Sequence, residues 1–176
     1  MQIKTILNHV EKHRSFVYGD VTWATTELGD LALEVGLRPR QNNRPTCSGC
    51  GRSGPTYDHL PSRRFEYMPL WGILVFFVYA MRRVDCPSCG VTVEHVAWAL
   101  GKRPVTKTYA WFLAIWAKRM CWADVARAFR TRWETVVRSV EMAVAWGLAH
   151  RDLEGITAIG VDEIAWRRGH EYLTVV

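Results

Sequence analysis

"CSGCG" (residues 47–51) and "CPSCG" (residues 86–90) are two cysteine pairs with identical spacing. Two cysteines three positions apart on a tight turn point both sulfurs at one ion, and the glycine after the second cysteine accommodates a left-handed backbone. In a reducing compartment such pairs are more often metal ligands than disulfides. The pattern therefore predicts a closed structural metal site, with Zn²⁺ as the expected ion. Its four ligands would be Cys47, Cys50, Cys86 and Cys89.

The ligand set leaves a second metal open, because a rubredoxin-like iron site uses the same four sulfurs. The basic segment farther along the chain favours zinc over iron. His59 lies between the two cysteine pairs and is interpreted as a surface or core histidine. Cys121 precedes Trp122 in a helical pattern, and we expect it to be a buried small hydrophobic residue.

The residues between the two cysteine pairs favour strands. WGILVFFVYAMRRVDC, residues 71–86, is rich in β-branched and aromatic side chains and leads directly into the second pair. A small sheet with cysteine pairs at its ends is a zinc ribbon, which we assign to residues 43–105. The preceding segment, residues 1–42, is expected to form a helix and a strand.

From residue 106 onward the hydrophobic spacing becomes helical and predicts three helices over residues 106–151. The first would bury a face that includes Tyr109 and Leu113. Thr131 followed three positions later by Glu134 is a capping-box pattern, so the third helix is expected to begin there. The inner face of the third helix would consist of Trp133, Val136, Val137, Val140, Val144 and Leu148.

The second and third predicted helices are joined by about three residues, 130–132, which matches a helix-turn-helix. Side chains on the outer face of the third helix would reach phosphates and base edges in a major groove. The candidate DNA-binding residues are Arg130, Arg132, Thr135, Arg138 and Ser139. A plain helical bundle whose arginines face water is the alternative interpretation of the same pattern.

The charge of the chain is unevenly distributed. The 176 residues have a formal net charge of +6 and a pI near 9.3. Residues 102–151 hold ten Lys and Arg against three Asp and Glu, which favours a polyanion partner, nucleic acid before membrane. The longest apolar run, residues 67–81, is too short to cross a bilayer, and no signal peptide is visible. We therefore expect no membrane partner and a cytoplasmic, nucleoid-associated protein.

The last residues of the chain favour a hairpin. ITAIGVDEIAW and EYLTVV are apolar strands separated by the basic turn RRGH. Asp162 and the adjacent Glu163 point to opposite faces of a regular strand, so one of them can serve as a metal ligand. From the pattern alone, an exposed acidic pair on an ordinary hairpin is favoured.

The order of these stretches, CSGCG, VFFVYAMRRVDCPSCG, TKTYAWFLAIWAKR, WADVARAFRTRWETVVRSVEMAVAWGLAHRDL and GITAIGVDEIAWRRGHEYLTVV, resembles the front part of bacterial insertion-sequence transposases of the ISL (type three) family. That family has a zinc ribbon, a helix-turn-helix and a DDE catalytic domain with a ribonuclease-H-like fold. The resemblance implies an α+β fold in which residues 152–176 begin the DDE domain. It also makes Asp162 the first of three carboxylates that hold Mg²⁺ or Mn²⁺ in an intact catalytic domain.

The resemblance implies double-stranded DNA from insertion-sequence ends as the partner, with a homodimer or a full-length transposase as further partners. Since the other two carboxylates would lie beyond Val176, we expect a truncated and catalytically incomplete chain. Two alternatives remain open at this point. The chain would be a stand-alone repressor of a related transposase, or an iron-binding, rubredoxin-like electron carrier.

Overall fold

The computed structural model describes residues 2–152, 154, 160–167 and 171–175. These residues form a mixed α+β fold, which confirms the expected class. Two compact units are present, Met1–Ala143 and Val144–Val176. In chain order the elements are α1 (Ile3–Val10), β1 (Phe16–Thr25), β2 (Leu31–Pro39), β3 (Thr56–His59), β4 (Arg63–Leu70), β5 (Ile73–Tyr79), β6 (Arg82–Cys86), β7 (Gly90–Val93), α2 (Lys107–Trp116), α3 (Trp122–Ala128), α4 (Trp133–Ala149), β8 (Asp162–Arg167) and β9 (Glu171–Val175).

A four-stranded sheet with the order β1-β2-β5-β4 is the centre of the first unit. Strands β1 and β2 are antiparallel, β2 and β5 are parallel, and β5 and β4 are antiparallel. Trp71 and Gly72 connect β4 to β5 with φ angles of 49° and 79°. Two consecutive residues with positive φ are typical of a type I′ hairpin turn, whose twist matches that of the flanking strands. Strands from the predicted segments 1–42 and 43–105 therefore share one sheet.

An aromatic core covers one face of this sheet. Trp98 is 2% exposed and lies edge-on to the rings of Phe16, Phe65 and Phe77, at centroid distances of 5.9, 5.0 and 5.9 Å. Alternate residues of β5 are buried, as expected of a strand with one face toward a core. This arrangement leaves the other face of the sheet available to solvent and to the helices.

A three-stranded sheet with the order β3-β6-β7 holds the second cysteine pair in its β6–β7 turn, and the first pair lies in the loop before β3. The predicted strand region 71–86 is divided between the two sheets, because its first part is β5 and its last part is β6. A buried ion pair of this sheet lies beside Tyr79, the last residue of β5. Arg82 and Glu94 are 5% and 3% exposed, and Arg82 Nη2 lies 2.7 Å from Glu94 Oε2. Glu94 also accepts hydrogen bonds from the Tyr79 hydroxyl and the Arg82 backbone N–H.

The helices α2, α3 and the start of α4 have their own apolar core, built around the buried residues Tyr109, Leu113, Val125 and Val136. The loop before α2 is attached to strand β4. Glu66 donates its backbone N–H to Pro104 and accepts one from Thr106, which forms a parallel bridge between Glu66 and Val105. The three helices up to Ala143 therefore belong to the same compact unit as the four-stranded sheet.

Three details of the predicted helices are wrong. Helix α4 begins at Trp133, and Thr131 donates its hydroxyl to Glu66 Oε2 at 2.6 Å, so no capping box is formed at Thr131. The predicted inner face is only partly correct, since Val136 is buried but Trp133, Val144 and Leu148 are all more than half exposed. Cys121 is exposed rather than buried, and its Sγ lies 2.9 Å from Asp124 Oδ2.

The apolar run at residues 67–81 lies in β4, β5, the turn between them and the two residues after β5. No helix in the described part of the chain has the length and apolar character that crossing a membrane requires.

Candidate metal centre and nucleic-acid interface

The four cysteines of the two predicted pairs meet at one point. The Sγ atoms of Cys47, Cys50, Cys86 and Cys89 all lie within 4.8 Å of one another. Cys47 and Cys86 are buried, whereas Cys50 and Cys89 are exposed. Four sulfurs at such distances are suited to a closed tetrahedral site, so the cluster could hold a metal such as zinc.

Two similar turns position these sulfurs. The first pair lies in the turn that the bridge Thr46↔Ser53 closes, and Cys47 itself forms a bridge with Glu94. The second pair occupies the β6–β7 turn. The glycines that follow the pairs, Gly51 and Gly90, have φ angles of 73° and 71°. The predicted left-handed position after each pair is therefore confirmed.

Hydrogen bonds favour the thiolate form of Cys47. Its Sγ lies 3.1 Å from Thr92 Oγ1 and accepts the Gly49 N–H at 3.4 Å. The Thr92 hydroxyl and nearby backbone N–H groups lower the pKa of Cys47 to about 6. Because the thiolate is the form that ligates metals, this environment prepares Cys47 for coordination.

The turn between α3 and α4 is attached to the four-stranded sheet through Arg130. This residue has a φ of 49°, and its guanidinium pairs with Asp30 at 2.7 Å and donates to the Gly72 carbonyl. The next residue, Thr131, is hydrogen-bonded to Glu66 of β4. Two consecutive turn residues therefore fix the start of α4 relative to the sheet.

The structure brings four of the five predicted DNA-binding residues together. Arg132, Thr135, Arg138 and Ser139 all line a cleft at the start of α4. Ser139 is 1% exposed, and its hydroxyl donates to the Thr135 carbonyl at 2.6 Å. Within the cleft, the Ser139 side chain is therefore almost fully buried, whereas Arg132 and Arg138 are exposed.

Sequence reasoning missed two arginines that lie close to α4. Arg64 of β4 and Arg103 of the loop before α2 line the same cleft of about 610 Å³ as Arg132 and Arg138. Arg103 Nη1 donates to the Arg138 carbonyl at 3.0 Å. The alternation of β4 could have indicated that Arg64 faces away from the core, because its neighbours Phe65 and Tyr67 are apolar. Nothing in the sequence indicates that residues of β4 and α4 line one cleft.

Asp162 begins strand β8 and lies opposite Val175 of β9, in an antiparallel hairpin. It is exposed, and Glu163 follows it in the same strand. Residues 153, 155–159, 168–170 and 176 of the predicted region 152–176 lie outside the described residues. Among the described residues, the four cysteines form a cluster of metal-ligating side chains. Asp162 does not belong to a cluster of three or more such side chains in this part of the chain.

Comparison with known proteins finds similar chains among transposases. The transposase for insertion sequence element IS1557 of Mycobacterium tuberculosis, found in two strains, is 32% identical over 169 residues, which are 91% of this chain. The transposase for insertion sequence element IS1001 of Bordetella parapertussis is 28% identical over 131 residues, or 74% of this chain. No protein-family model and no solved structure matches.

The matched region is a limited part of each relative, since this chain spans 37% of the length of the first and 32% of the second. Within that region the match to the first relative includes nearly the whole described structure. The curated homologues of this chain, at 28–32% identity, are thus insertion-sequence transposases.

Proposed function

We propose that this chain is the DNA-binding part of an insertion-sequence transposase and that it recognises the terminal inverted repeats of its own element. The similarity over 91% of the chain to an insertion-sequence transposase carries this proposal. The excess of basic residues in the helical segment supports it, because neutralised phosphates supply much of the affinity of DNA-binding proteins.

In this proposal, α3 and α4 act as a helix-turn-helix. Four residues separate α3 from α4, and the start of α4 presents Arg132 and Arg138 to a cleft. In known helix-turn-helix proteins, residues near the start of the second helix contact base edges in the major groove. Arginine side chains there bind guanine through two hydrogen bonds or bind the backbone phosphates.

We further propose that the four cysteines form a zinc ribbon-like structural centre. They would hold Zn²⁺ between the β6–β7 turn and the loop before β3, and all four positions around the ion would be occupied by protein sulfurs. Such a site stabilises the fold and leaves no open position for a substrate. The same sulfurs would also hold iron, and the colour of the purified protein distinguishes the two metals.

The catalytic part of the proposal rests on the resemblance alone. Asp162 corresponds to the first of the carboxylates that hold Mg²⁺ or Mn²⁺ during DNA cleavage and strand transfer. Because one carboxylate does not hold the pair of metal ions that this chemistry uses, we propose that Asp162 alone does not support DNA cleavage by this chain. Reproducible metal-dependent nicking of end DNA by pure protein would contradict that statement.

A binding titration tests the proposed function. DNA from the ends of the element is compared with scrambled DNA of the same length, at moderate salt and with zinc present. We expect clearly tighter binding to the end DNA, beyond the salt-sensitive background that any basic protein shows. Equal and weak binding to both would overturn the proposal and leave the helical segment as a generic basic surface.

A further inference from the structure

The cleft beside α4 combines arginines from three separate parts of the fold. Arg64 comes from β4, Arg103 from the loop before α2, Arg132 from the residue just before α4, and Arg138 from α4 itself. We call this group the arginine cleft. Two of its members lie outside the predicted helix-turn-helix, so the cleft is a feature of the tertiary structure.

Arg64 is held in place but remains accessible. Its Nε donates to Glu34 Oε1 at 2.5 Å, and its guanidinium lies over the ring of Phe76, 5.7 Å from the centroid. The side chain is nevertheless 49% exposed. A guanidinium has five N–H donors, so the contact with Glu34 leaves donors for a ligand in the cleft.

Arg103 is fixed by the loop that carries it. The bridge between Glu66 and Val105 attaches that loop to β4, and the Arg103 backbone N–H donates to the Leu100 carbonyl at 3.1 Å. Its side chain then donates one hydrogen bond to the Arg138 carbonyl. The distance between the loop and α4 is therefore set before any ligand binds.

The balance of charge in the cleft favours an anion. Glu66 and Glu134 also line it, and Glu34 pairs with Arg64. The Glu66 carboxylate is already hydrogen-bonded to Thr131. Within the described residues, the ion pairs of the structure do not include the other three arginines of the cleft. Three guanidinium groups that are not engaged in those ion pairs suit a ligand with several acceptor oxygens.

We propose that the arginine cleft binds a backbone phosphate of the DNA that lies on α4, so that β4 and the loop before α2 are part of the DNA-binding surface. This inference rests on the proposed DNA-binding function and extends it to Arg64 and Arg103. The guanidinium fork matches phosphate geometry, and such contacts fix the position of a protein on the duplex without reading its sequence.

The test uses the full chain with the double substitution Arg64→Ala and Arg103→Ala. We expect the affinity to fall on the order of tenfold for each substituted arginine, which corresponds to one charge-assisted hydrogen bond. The decrease should be the same for end DNA and scrambled DNA. The slope of log K against log salt should become shallower by about one for each phosphate that is no longer neutralised.

The matched control is the double substitution Arg38→Ala and Arg52→Ala, which removes the same charge from exposed positions outside the cleft. A control effect as large as that of the cleft variant would overturn the inference, because general charge would then account for both. A cleft variant that binds like the unmodified protein would also overturn it.

A second variant, which is expected to strengthen binding, tests the inference even if the double variant does not fold. Glu134→Gln removes an exposed negative charge from the cleft and should strengthen binding to both DNAs severalfold. Unchanged or weaker binding by this variant counts against a phosphate in the cleft. A different result would contradict the proposed function itself: the unmodified protein would then bind end DNA and scrambled DNA equally well.

Discussion

At the scale of single residues, the buried pair of Arg82 and Glu94 shows how burial determines the effect of an ion pair on the free energy of unfolding. Both side chains are almost fully buried, and removing one partner leaves an uncompensated charge in a low-dielectric environment. We expect Glu94→Gln to lower the free energy of unfolding by about 3–5 kcal/mol, measured by urea denaturation. Glu34→Gln is the control, because its partner Arg64 is half exposed, and its cost should be below about 1 kcal/mol. Equal effects of the two substitutions would contradict this argument.

Ser139 and Arg138 are neighbours in the sequence but have different surroundings. Arg138→Ala should weaken binding to end DNA by roughly tenfold or more, as expected for one arginine that contacts a base or phosphate. Ser139→Ala should leave the affinity unchanged, because the hydroxyl is buried and bonded within its own helix. Both are measured in the same titration. A large decrease in affinity for Ser139→Ala in a normally folded protein would mean that this side chain reaches the DNA.

At the scale of elements, the helices could be predicted because their hydrophobic spacing is local. The buried residues Tyr109 and Leu113 of α2 were expected from spacing alone. The start of α4 could not be predicted, because Thr131 bonds to Glu66, which lies 65 positions away in the sequence. A capping-box pattern indicates only hydrogen bonds between residues that are close in the sequence. A small polar residue such as Ser139 can also enter a core when its own helix accepts its hydrogen bond.

The cysteine element allows a matched comparison between Cys50 and Cys121, which are both exposed. Only Cys50 belongs to the four-sulfur cluster. We expect the unmodified protein to be colourless with one zinc per chain, and Cys50→Ser to lose the metal and unfold at a lower temperature. Cys121→Ser should retain both metal content and melting temperature. Equal metal content in the two variants, measured by elemental analysis, would contradict the assignment, and a visible charge-transfer band would favour iron.

At the scale of the whole molecule, the sequence indicated the strands and the cysteine site but not the pairing of the strands. The parallel pair β2–β5 joins residues about 40 positions apart, and the first cysteine pair lies between them in the chain. Parallel pairing depends on long-range contacts that no local pattern specifies. The same limit applies to the arginine cleft, since Arg64 and Arg138 meet only after the sheet and helices have packed.

The domain division at residue 42 leads to a decisive experiment. If residues 43–105 form an independent ribbon, a chain that begins at residue 43 should fold and bind zinc. The structure argues for the opposite result, because β2 lies between β1 and β5 and supplies the buried residues Leu33, Val35 and Leu37. Removing β1 and β2 would expose the hydrogen-bonding edge of β5 and open the aromatic core.

We therefore expect residues 43–176 to lack a cooperative thermal transition and to aggregate, whereas the full chain unfolds cooperatively. Circular dichroism and near-ultraviolet tryptophan signals provide the measurement, and a chain that lacks only residues 1 and 2 is the control, because it keeps α1 and every strand. A cooperative, zinc-binding fragment 43–176 would show that the four-stranded sheet is not required. The helices and the cysteine site would then be separable domains, and the arginine cleft would need only β4 and β5 for its support.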